Sequence, residues 1–229
     1  MDKNILKIIV PATVAATMAL AGCDNPEYPD PAGEQGTLSL SGFSITAVDE
    51  TSGTPETIDV SDFVVNVRDA ATGDIAASWT YVDMPDEVSL YDGNYIVEAY
   101  NAEAQPAAWE APYYYASAQV RIYGYEVTAV SPLQCSLSNV AVSVSYSDAF
   151  KAAMGSDVRV TVEMIQGVSL EFLPGETRKA YFMPAASTGN TIQATLTGTV
   201  GGMETRNVQV LTNVEAGQYC DIAFSLDDE

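Results

Sequence analysis

The chain contains no histidine among its 229 residues, and this absence excludes several kinds of active site. Ser-His-Asp and Cys-His catalysis both need an imidazole to carry the proton, and histidine is also the commonest metal ligand. The sequence also lacks a nucleophile elbow, a cluster of residues with metal-ligand spacing and a glycine-rich phosphate loop. We therefore predict that the protein is not an enzyme and has no catalytic residues, no metal site and no cofactor.

Basic residues are scarce, since 9 Lys and Arg face 31 Asp and Glu, and the net charge is −22. Such a chain repels nucleic acid and anionic lipid, so both are poor candidates for partners. Asp83, Asp86 and Asp92 could hold calcium, but they lack the tight Asp-x-Asp-x-Asp-Gly spacing that crowds oxygen atoms around the ion. We interpret these three carboxylates as solvated loop charges.

Cysteine occurs at only three positions, and two of them, Cys135 and Cys220, lie on the apolar phase of strand-like runs. Two thiols in an oxidising compartment could form a disulfide. Free cysteine is also among the most buried residue types and then behaves as a small hydrophobe. Both alternatives stay open, because sequence spacing alone does not establish the geometry that a disulfide needs.

One long apolar run is present, from Ile5 to Ala21, and the basic Lys3 and Lys7 lie at its start. A positive start, an apolar centre and small residues before the cut are typical of a bacterial secretory signal, here residues 1–22. The signal ends on Leu20-Ala21-Gly22-Cys23, which resembles the lipobox of bacterial lipoproteins. We predict cleavage after Gly22, attachment of diacylglycerol and palmitate to Cys23, and binding to a membrane through this N-terminal lipid.

Two other interpretations of the apolar run fit less well. A membrane-spanning helix needs about 20 predominantly apolar residues, whereas this run contains Pro11 and is not followed by basic residues. A plain cleaved signal would not need Cys23 directly after the cut. Residues 23–36, which are acidic and rich in proline, are predicted to form a tether without regular structure.

Beyond the tether, apolar residues recur at every second position in short runs that are separated by turn residues. Examples are Phe63-x-Val65-x-Val67 and Tyr95-x-Val97-x-Ala99, with the Thr72-Gly73 turn between them. This period predicts half-buried antiparallel strands. About a dozen such runs predict an all-β fold of two tandem antiparallel β-sandwiches, transthyretin-like or Ig-like, at residues 37–132 and 133–229.

One short helix is predicted in the second sandwich, over residues 147–155. Ser147 can cap its start, Asp148 suits the positive end of the helix dipole, and Gly155 can close it. A glycine at position 42 lies where the alternation of the first strands changes phase, which predicts a β-bulge. Gly201-Gly202 predicts a tight hairpin.

An aromatic segment from Trp109 to Tyr115 interrupts the strand pattern and holds four aromatic residues. Its rings could stack on the apolar faces of sugars, with Trp109, Tyr113 and Tyr115 as candidate ligand contacts. Alternatively, the rings fold back as a lid over the first sandwich, because aromatic side chains usually serve packing. Since successive side chains of a strand point to opposite faces, we expect Tyr114 to point inward and Tyr113 and Tyr115 outward.

The chain resembles a family of Bacteroidales surface lipoproteins, the domain-of-unknown-function family numbered forty-four ninety-three. The residues that carry the resemblance are Val60-Ser61-Asp62-Phe63, Asp69-Ala70-Ala71-Thr72-Gly73, Trp79-x-Tyr81-x-x-Met84-Pro85, Gly93-x-Tyr95-x-Val97-Glu98-Ala99, Trp109-x-x-Pro112-Tyr113-Tyr114, Leu137-x-Asn139-Val140 and Glu176-Thr177-Arg178. The resemblance implies a location and a fold class, but no reaction. The acidic tether is similar to surface-export signals of such lipoproteins, although it could also be only a solvated linker.

A more distant likeness is to the transthyretin-type sandwiches of fimbrillin-like pilus subunits, which join by adding a strand to an open sheet edge. The expected role is that of a non-catalytic, lipid-anchored protein of the outer membrane that faces the cell exterior. We expect this protein to be adhesive or structural, fimbrillin-like or a pilus accessory, with other surface proteins as partners. The alternative is a glycan-binding lipoprotein of a polysaccharide-uptake system.

Overall fold

The structure, a computed structural model, describes residues 33–51, 54–165 and 167–226, which are mostly strands. The strands before Ser131 are β1 (Gln35–Ser39), β2 (Ile45–Asp49), β3 (Glu56–Thr57), β4 (Val64–Asp69), β5 (Ile75–Thr80), β6 (Glu87–Tyr91), β7 (Gly93–Tyr100), β8 (Ala107–Trp109), β9 (Tyr114–Ile122) and β10 (Val127–Ala129). A short 3-10 turn, Tyr81–Asp83, lies between β5 and β6.

The later strands are β11 (Leu133–Leu137), β12 (Val140–Tyr146), β13 (Arg159–Ile165), β14 (Val168–Phe172), β15 (Ala180–Phe182), β16 (Asn190–Val200), β17 (Met203–Val214) and β18 (Tyr219–Phe224). The helix α1 (Asp148–Ala153) lies between β12 and β13. β1 begins two residues inside the segment predicted as the tether, and residues 23–32 of that segment lie outside the described residues.

The first sandwich consists of a three-stranded sheet in the order β10-β1-β6 and a seven-stranded sheet in the order β3-β2-β11-β9-β7-β4-β5. In β1, β4, β6 and β7, every second side chain points between the two sheets. The resulting core includes Leu38 from β1, Leu90 from β6, Val67 from β4 and Val97 from β7, all of them buried.

The second sandwich packs a sheet in the order β18-β12-β15-β8 against one in the order β14-β13-β16-β17. Its core includes Val142 from β12, Ile222 from β18, Val160 from β13 and Leu196 from β16. The predicted all-β fold, with sandwiches and one short helix in the second, is confirmed. The purely antiparallel pairing is corrected, because β1 with β10, β2 with β11 and β12 with β18 pair in parallel.

Two strands pair across the boundary that we predicted between residues 132 and 133. β11 is hydrogen-bonded to β2 and β9 of the first sandwich, and its Leu133 and Cys135 belong to the first core. β8 pairs with β15 of the second sandwich. The physical reason is that a strand joins the sheet that satisfies its backbone groups and buries its apolar side chains, and chain order alone does not decide which sheet that is. The division into two domains stays a prediction.

Glycines lie in two of the turns, and Ser147 lies at the start of the helix. Gly201 and Gly202 have φ of 60° and 78°, as a two-residue hairpin turn requires, so this prediction is confirmed. Ser147 caps α1 by accepting a hydrogen bond from the Phe150 amide at 3.2 Å. Gly42 forms a tight turn with a φ of 82° and not the predicted β-bulge, because Phe43 N–H donates to the Leu40 carbonyl across it at 3.0 Å.

The helix ends differently from the prediction. Its C-cap is Met154 in an extended conformation, and Gly155 does not adopt the left-handed conformation of a closing glycine. Gly155 N–H instead donates to the Thr199 carbonyl at 2.7 Å, which ties the helix end to β16. Phe150 of the helix is buried in the second core, so α1 covers one end of that sandwich.

Candidate functional site

Trp109, the first residue of the aromatic segment, is part of the second sandwich. As the last residue of β8 it pairs with Ala180 of β15. Its ring meets Phe172 edge to face, with 4.7 Å between the centroids, and the Arg178 guanidinium carbon lies 4.8 Å from the centre of the Trp109 ring. The proposed lid over the first sandwich is therefore corrected for this residue: Trp109 packs at the margin of the second core.

Arg178 is held over Trp109 by Glu176. The Glu176 carboxylate accepts hydrogen bonds from Arg178 Nε at 3.0 Å and from Arg178 Nη2 at 2.7 Å. It also accepts from the backbone amides of Thr177 and Arg178 at 3.0 Å each. These bonds, chiefly those from the Arg178 side chain, lower the pKa of Glu176 to about 2. The Glu176 carboxylate thus fixes the Arg178 guanidinium in its position over the indole ring of Trp109.

The three consecutive tyrosines at residues 113–115 span the start of β9 and alternate between the faces of the seven-stranded sheet. Tyr114 is 2% exposed and lies in the first core, which confirms its inward orientation. Tyr113 and Tyr115 lie on the outer face and are half-buried, since their rings stack with 6.1 Å between centroids. Tyr100 of β7 lies beside Tyr113, with 6.4 Å between the ring centroids. Burial is the main cause that raises the pKa of Tyr113 to about 12.

A polar cluster lies beside these rings on the same outer face and is centred on Glu98. Glu98 Oε1 accepts hydrogen bonds from Arg68 Nη2 at 2.7 Å and from Asn66 Nδ2 at 3.2 Å, and Oε2 accepts from the Tyr115 hydroxyl at 3.3 Å. Asn66 Nδ2 also donates to the Tyr100 hydroxyl at 3.0 Å. Glu98 is only 8% exposed and its carboxylate is held by these partners, so it is poorly placed to act as a general base.

Sequence reasoning identified Tyr113 and Tyr115 but missed Asn66, Arg68 and Glu98. A signal for the missed residues was present: Asn66 stands between two buried valines of β4, and Glu98 stands between Val97 and Ala99 of β7. Strand alternation places both on the outer face. Their contact depends on the register, which places Asn66 directly opposite Glu98, and single-strand patterns do not contain that register.

The two described cysteines are free and buried in different cores, Cys135 in the first and Cys220 in the second. Of the two alternatives, the structure shows the buried hydrophobe and no disulfide between them. Burial raises the pKa of the Cys135 thiol to about 11, so this cysteine is a poor nucleophile.

The three loop aspartates do not converge. Asp83 accepts a hydrogen bond from the Thr80 hydroxyl at 2.6 Å, and Asp92 is paired with Arg121. Asp86 is exposed, and its carbonyl accepts from the Leu40 amide at 2.7 Å. Among the residues that the structure describes, no group of three or more Cys, Asp and Glu side chains is arranged to hold a metal ion.

An open groove separates two edge strands of the second sandwich, β17 and β18. We call it the edge groove, and its volume is about 320 Å³. Its floor and rims consist of Phe150, Leu196, Val200, Met203, Thr205, Asn207, Gln209, Ala223, Phe224, Ser225 and Leu226. One side-chain bond crosses it, from Gln209 Nε2 to the Ala223 carbonyl at 3.1 Å. Met203 and Leu226 remain 70% and 40% exposed at its rims.

The predicted lipid attachment at Cys23 and the cleavage motif Leu20-Ala21-Gly22 lie outside the described residues. Within the ranges that the structure describes, no helix combines the length and the apolar character that crossing a bilayer requires. The predicted contacts of Trp109, Tyr113 and Tyr115 with a ligand likewise stay predictions.

A comparison with protein-family models matches residues 34–229 to the family described as Domain of unknown function (DUF4493). The match covers most of the chain, including both sandwiches. A search of curated protein sequences finds no match.

Several solved structures with a similar course of the chain come from Bacteroides and related bacteria. A candidate adhesin from Bacteroides ovatus has 10% identity and a TM-score of 0.46, with 91% of this chain and 93% of that chain covered. A fimbrial assembly protein from Parabacteroides distasonis has 12% identity and a TM-score of 0.42, with 82% and 91% covered. Likenesses of this size do not establish a shared function.

Proposed function

The chain belongs to the DUF4493 family, and on this premise we propose that it is a non-catalytic cell-surface lipoprotein with an adhesive or structural role, fimbrillin-like or accessory to a pilus. A lipid on Cys23 would hold it in the outer membrane with the sandwiches facing the cell exterior. The observation that carries the proposal is the edge groove, because it offers a place where a strand of another surface protein can be added.

Both rims of the edge groove are strands with one unpaired side within the described residues. Among the strands of the described residues, β18 pairs only with β12, and β17 pairs only with β16. An unpaired strand edge presents a row of free N–H and C=O groups that can bind a further strand. Each backbone hydrogen bond that forms contributes about 1 kcal/mol net. The six residues of β18 can therefore supply a useful part of the binding energy for an added strand.

The floor of the groove would supply the remaining energy and the specificity. Phe150, Leu196 and Phe224 belong to the second core, yet they also line the groove. An added strand with alternating apolar residues would place every second side chain over this floor and would cover the exposed rims at Met203 and Leu226. Burial of one large apolar side chain stabilises a complex by about 1.5–3 kcal/mol.

The alternative of a glycan-binding protein for polysaccharide uptake is less well supported by the aromatic segment. The Trp109 ring already contacts Phe172 and Arg178, and the Tyr113 and Tyr115 rings stack on each other. These contacts reduce the ring surface that a sugar could cover. The adhesive or structural role is therefore the better-supported proposal.

Photo-cross-linking on intact cells tests the proposal. A photoreactive amino acid replaces Met203 at the rim of the groove, and a matched variant carries it at Val82, which is 67% exposed on the first sandwich. We expect the Met203 variant to cross-link to a strand-like segment of another surface protein or of a second copy, and the Val82 variant to give no such product. Peptide mapping by mass spectrometry identifies the segment.

Cross-links that are equally frequent at both positions, or that are absent at Met203 on cells that display the protein, would contradict strand addition. Met203→Glu provides a second measurement, since a buried charge at the rim should weaken assembly while leaving the melting temperature unchanged. Val82→Glu is its control for the effect of an added surface charge.

A further inference from the structure

The outer face of the three-stranded sheet carries apolar side chains that the fold leaves in solvent. Tyr91 of β6 is 48% exposed, Val127 of β10 is 68% exposed, and Tyr125 in the preceding turn is 84% exposed. We call these three residues the tyrosine face. They are not part of the first core, to which β1 and β6 contribute Leu38 and Leu90 from their inward side. Exposed apolar groups that lie together often mark a binding surface.

The two tyrosines flank the start of β1. Tyr91 is the cross-strand partner of Gln35, and Tyr125 N–H donates to the Gln35 carbonyl at 2.8 Å from the other side. Because neighbouring strands lie about 5 Å apart, the two tyrosine backbones are separated by about 10 Å. Polar Gln35 and Thr37 of β1 lie on the face that carries Tyr91 and Val127, as their cross-strand partners. The surface thus combines exposed rings with hydrogen-bonding groups.

Tyr125 adopts a backbone conformation that its side chain disfavours. Its φ of 62° lies in the left-handed region, which is uncommon for residues other than glycine, asparagine and aspartate. An 84% exposed ring gains little from packing that could offset this strain. Strained residues that the surrounding structure holds in place concentrate at functional sites. The strain is therefore explained if the ring is needed in solvent.

The turn that carries Tyr125 is held firmly. Asp92 binds the Arg121 guanidinium through one carboxylate oxygen and accepts from Gly124 N–H at 3.2 Å through the other. Glu126 N–H donates to the Tyr123 carbonyl at 3.2 Å, which closes the turn. A binding surface that is already ordered loses less entropy when a ligand binds.

Charges around the tyrosine face restrict what can bind there. Glu34, Glu87 and Glu126 are exposed near its edges, and the carboxylate of Asp92 is balanced by Arg121. Surplus negative charge disfavours anionic polysaccharides, anionic lipids and a second copy of this acidic chain. Neutral sugars avoid this repulsion. Their hydroxyl groups can donate to carboxylates, and their apolar faces can stack on tyrosine rings.

We propose that the tyrosine face binds a neutral glycan, with Tyr91 and Tyr125 stacking on sugar rings and Gln35 and Thr37 as hydrogen-bonding partners. This inference rests on the adhesive role proposed above and supplies that role with a class of ligand. The site lies on the first sandwich, whereas the edge groove lies on the second. The two can therefore fail separately in experiments.

Affinity electrophoresis of the full chain tests the site. The gels contain a neutral α-glucan, β-glucan, mannan or xylan, and polygalacturonate serves as the anionic control. We expect retardation in at least one neutral gel and a loss of about tenfold or more in affinity for Tyr125→Asn, because a stacked ring contributes on that order. Tyr125→Phe keeps the ring and should bind like the wild type, as should Val82→Ser, the control on another exposed surface.

The stability of the Tyr125 variants separates binding from folding. Asparagine tolerates the left-handed region, so Tyr125→Asn should melt at the same temperature as the wild type or higher while it loses binding. No retardation of the wild type in any neutral gel would overturn the proposal, as would undiminished binding by Tyr125→Asn. Binding of neutral phosphatidylcholine vesicles that depends on Tyr125, without glycan binding, would also overturn it and would identify a membrane contact.

Discussion

Replacing Trp109 by alanine should selectively weaken the second sandwich, although Trp109 lies in the first half of the sequence. The ring meets Phe172 edge to face and is covered by the Arg178 guanidinium. Full removal of a buried tryptophan costs about 3–5 kcal/mol, and Trp109 is only partly buried. We therefore expect the free energy of unfolding to fall by about 3 kcal/mol. Trp109→Phe keeps an aromatic contact and should cost about 1 kcal/mol.

The two tryptophans of the chain allow the two cores to be followed separately. Trp79 packs against the first core and Trp109 against the second. In Trp109→Ala and in its matched control Trp109→Phe, Trp79 is the remaining tryptophan, so the fluorescence reports the first core. Urea unfolding is measured by this fluorescence and by far-ultraviolet circular dichroism, which reports the strands of both sandwiches.

If the cores unfold separately, the circular dichroism midpoint of the second core falls in Trp109→Ala, while the Trp79 midpoint equals that of Trp109→Phe. Equal circular dichroism midpoints for the two variants would refute the argument that ring packing at Trp109 stabilises the second sandwich. A common shift of both signals would instead show that the two cores unfold as one cooperative unit, which would contradict two independent domains.

Three further predictions concern charge, close packing and the anchor. Arg178 lowers the pKa of Glu176 to about 2, so the stability that this pair contributes should be complete above the ordinary glutamate pKa and should decline as the pH falls from about 4.5 toward 2. Glu176→Gln should flatten that part of an acid-unfolding curve. An acid-unfolding curve that Glu176→Gln leaves unchanged would contradict the assignment. In Gly36→Ala the new Cβ would lie 2.0 Å from the Tyr123 carbonyl oxygen, whereas the new Cβ of Gly33→Ala meets no atom within 4 Å. We expect the free energy of unfolding, measured by urea unfolding, to fall by about 3 kcal/mol in Gly36→Ala and to stay unchanged in Gly33→Ala. Cys23→Ser should abolish palmitate labelling and release the protein from membranes or leave it unprocessed; labelling and detergent partitioning that match the wild type would argue against the lipid anchor.

Local patterns in the chain predicted the fold class and many of the elements, but not β8. Alternation of apolar residues predicted the all-β class, Gly201-Gly202 predicted a hairpin, and Ser147 predicted the start of the helix. These predictions succeed because each depends on side chains within a few residues of one another. The inward orientation of Tyr114 follows from the same alternation and is confirmed.

Only the tertiary structure decided which strands meet and therefore which side chains form clusters. Chain order suggested that β11 begins the second sandwich, but β11 belongs to the seven-stranded sheet of the first sandwich. It also suggested that Trp109 covers the first sandwich, but Trp109 packs on the second core. The Glu98 cluster depends on the register of β4 against β7, and the tyrosine face depends on the parallel pairing of β1 with β10. The sequence by itself determined the strands, since the alternation of apolar residues is local. Strand pairing joins residues that are distant in the chain, and the free energy of pairing depends on the cores and edges that form when all strands pack together.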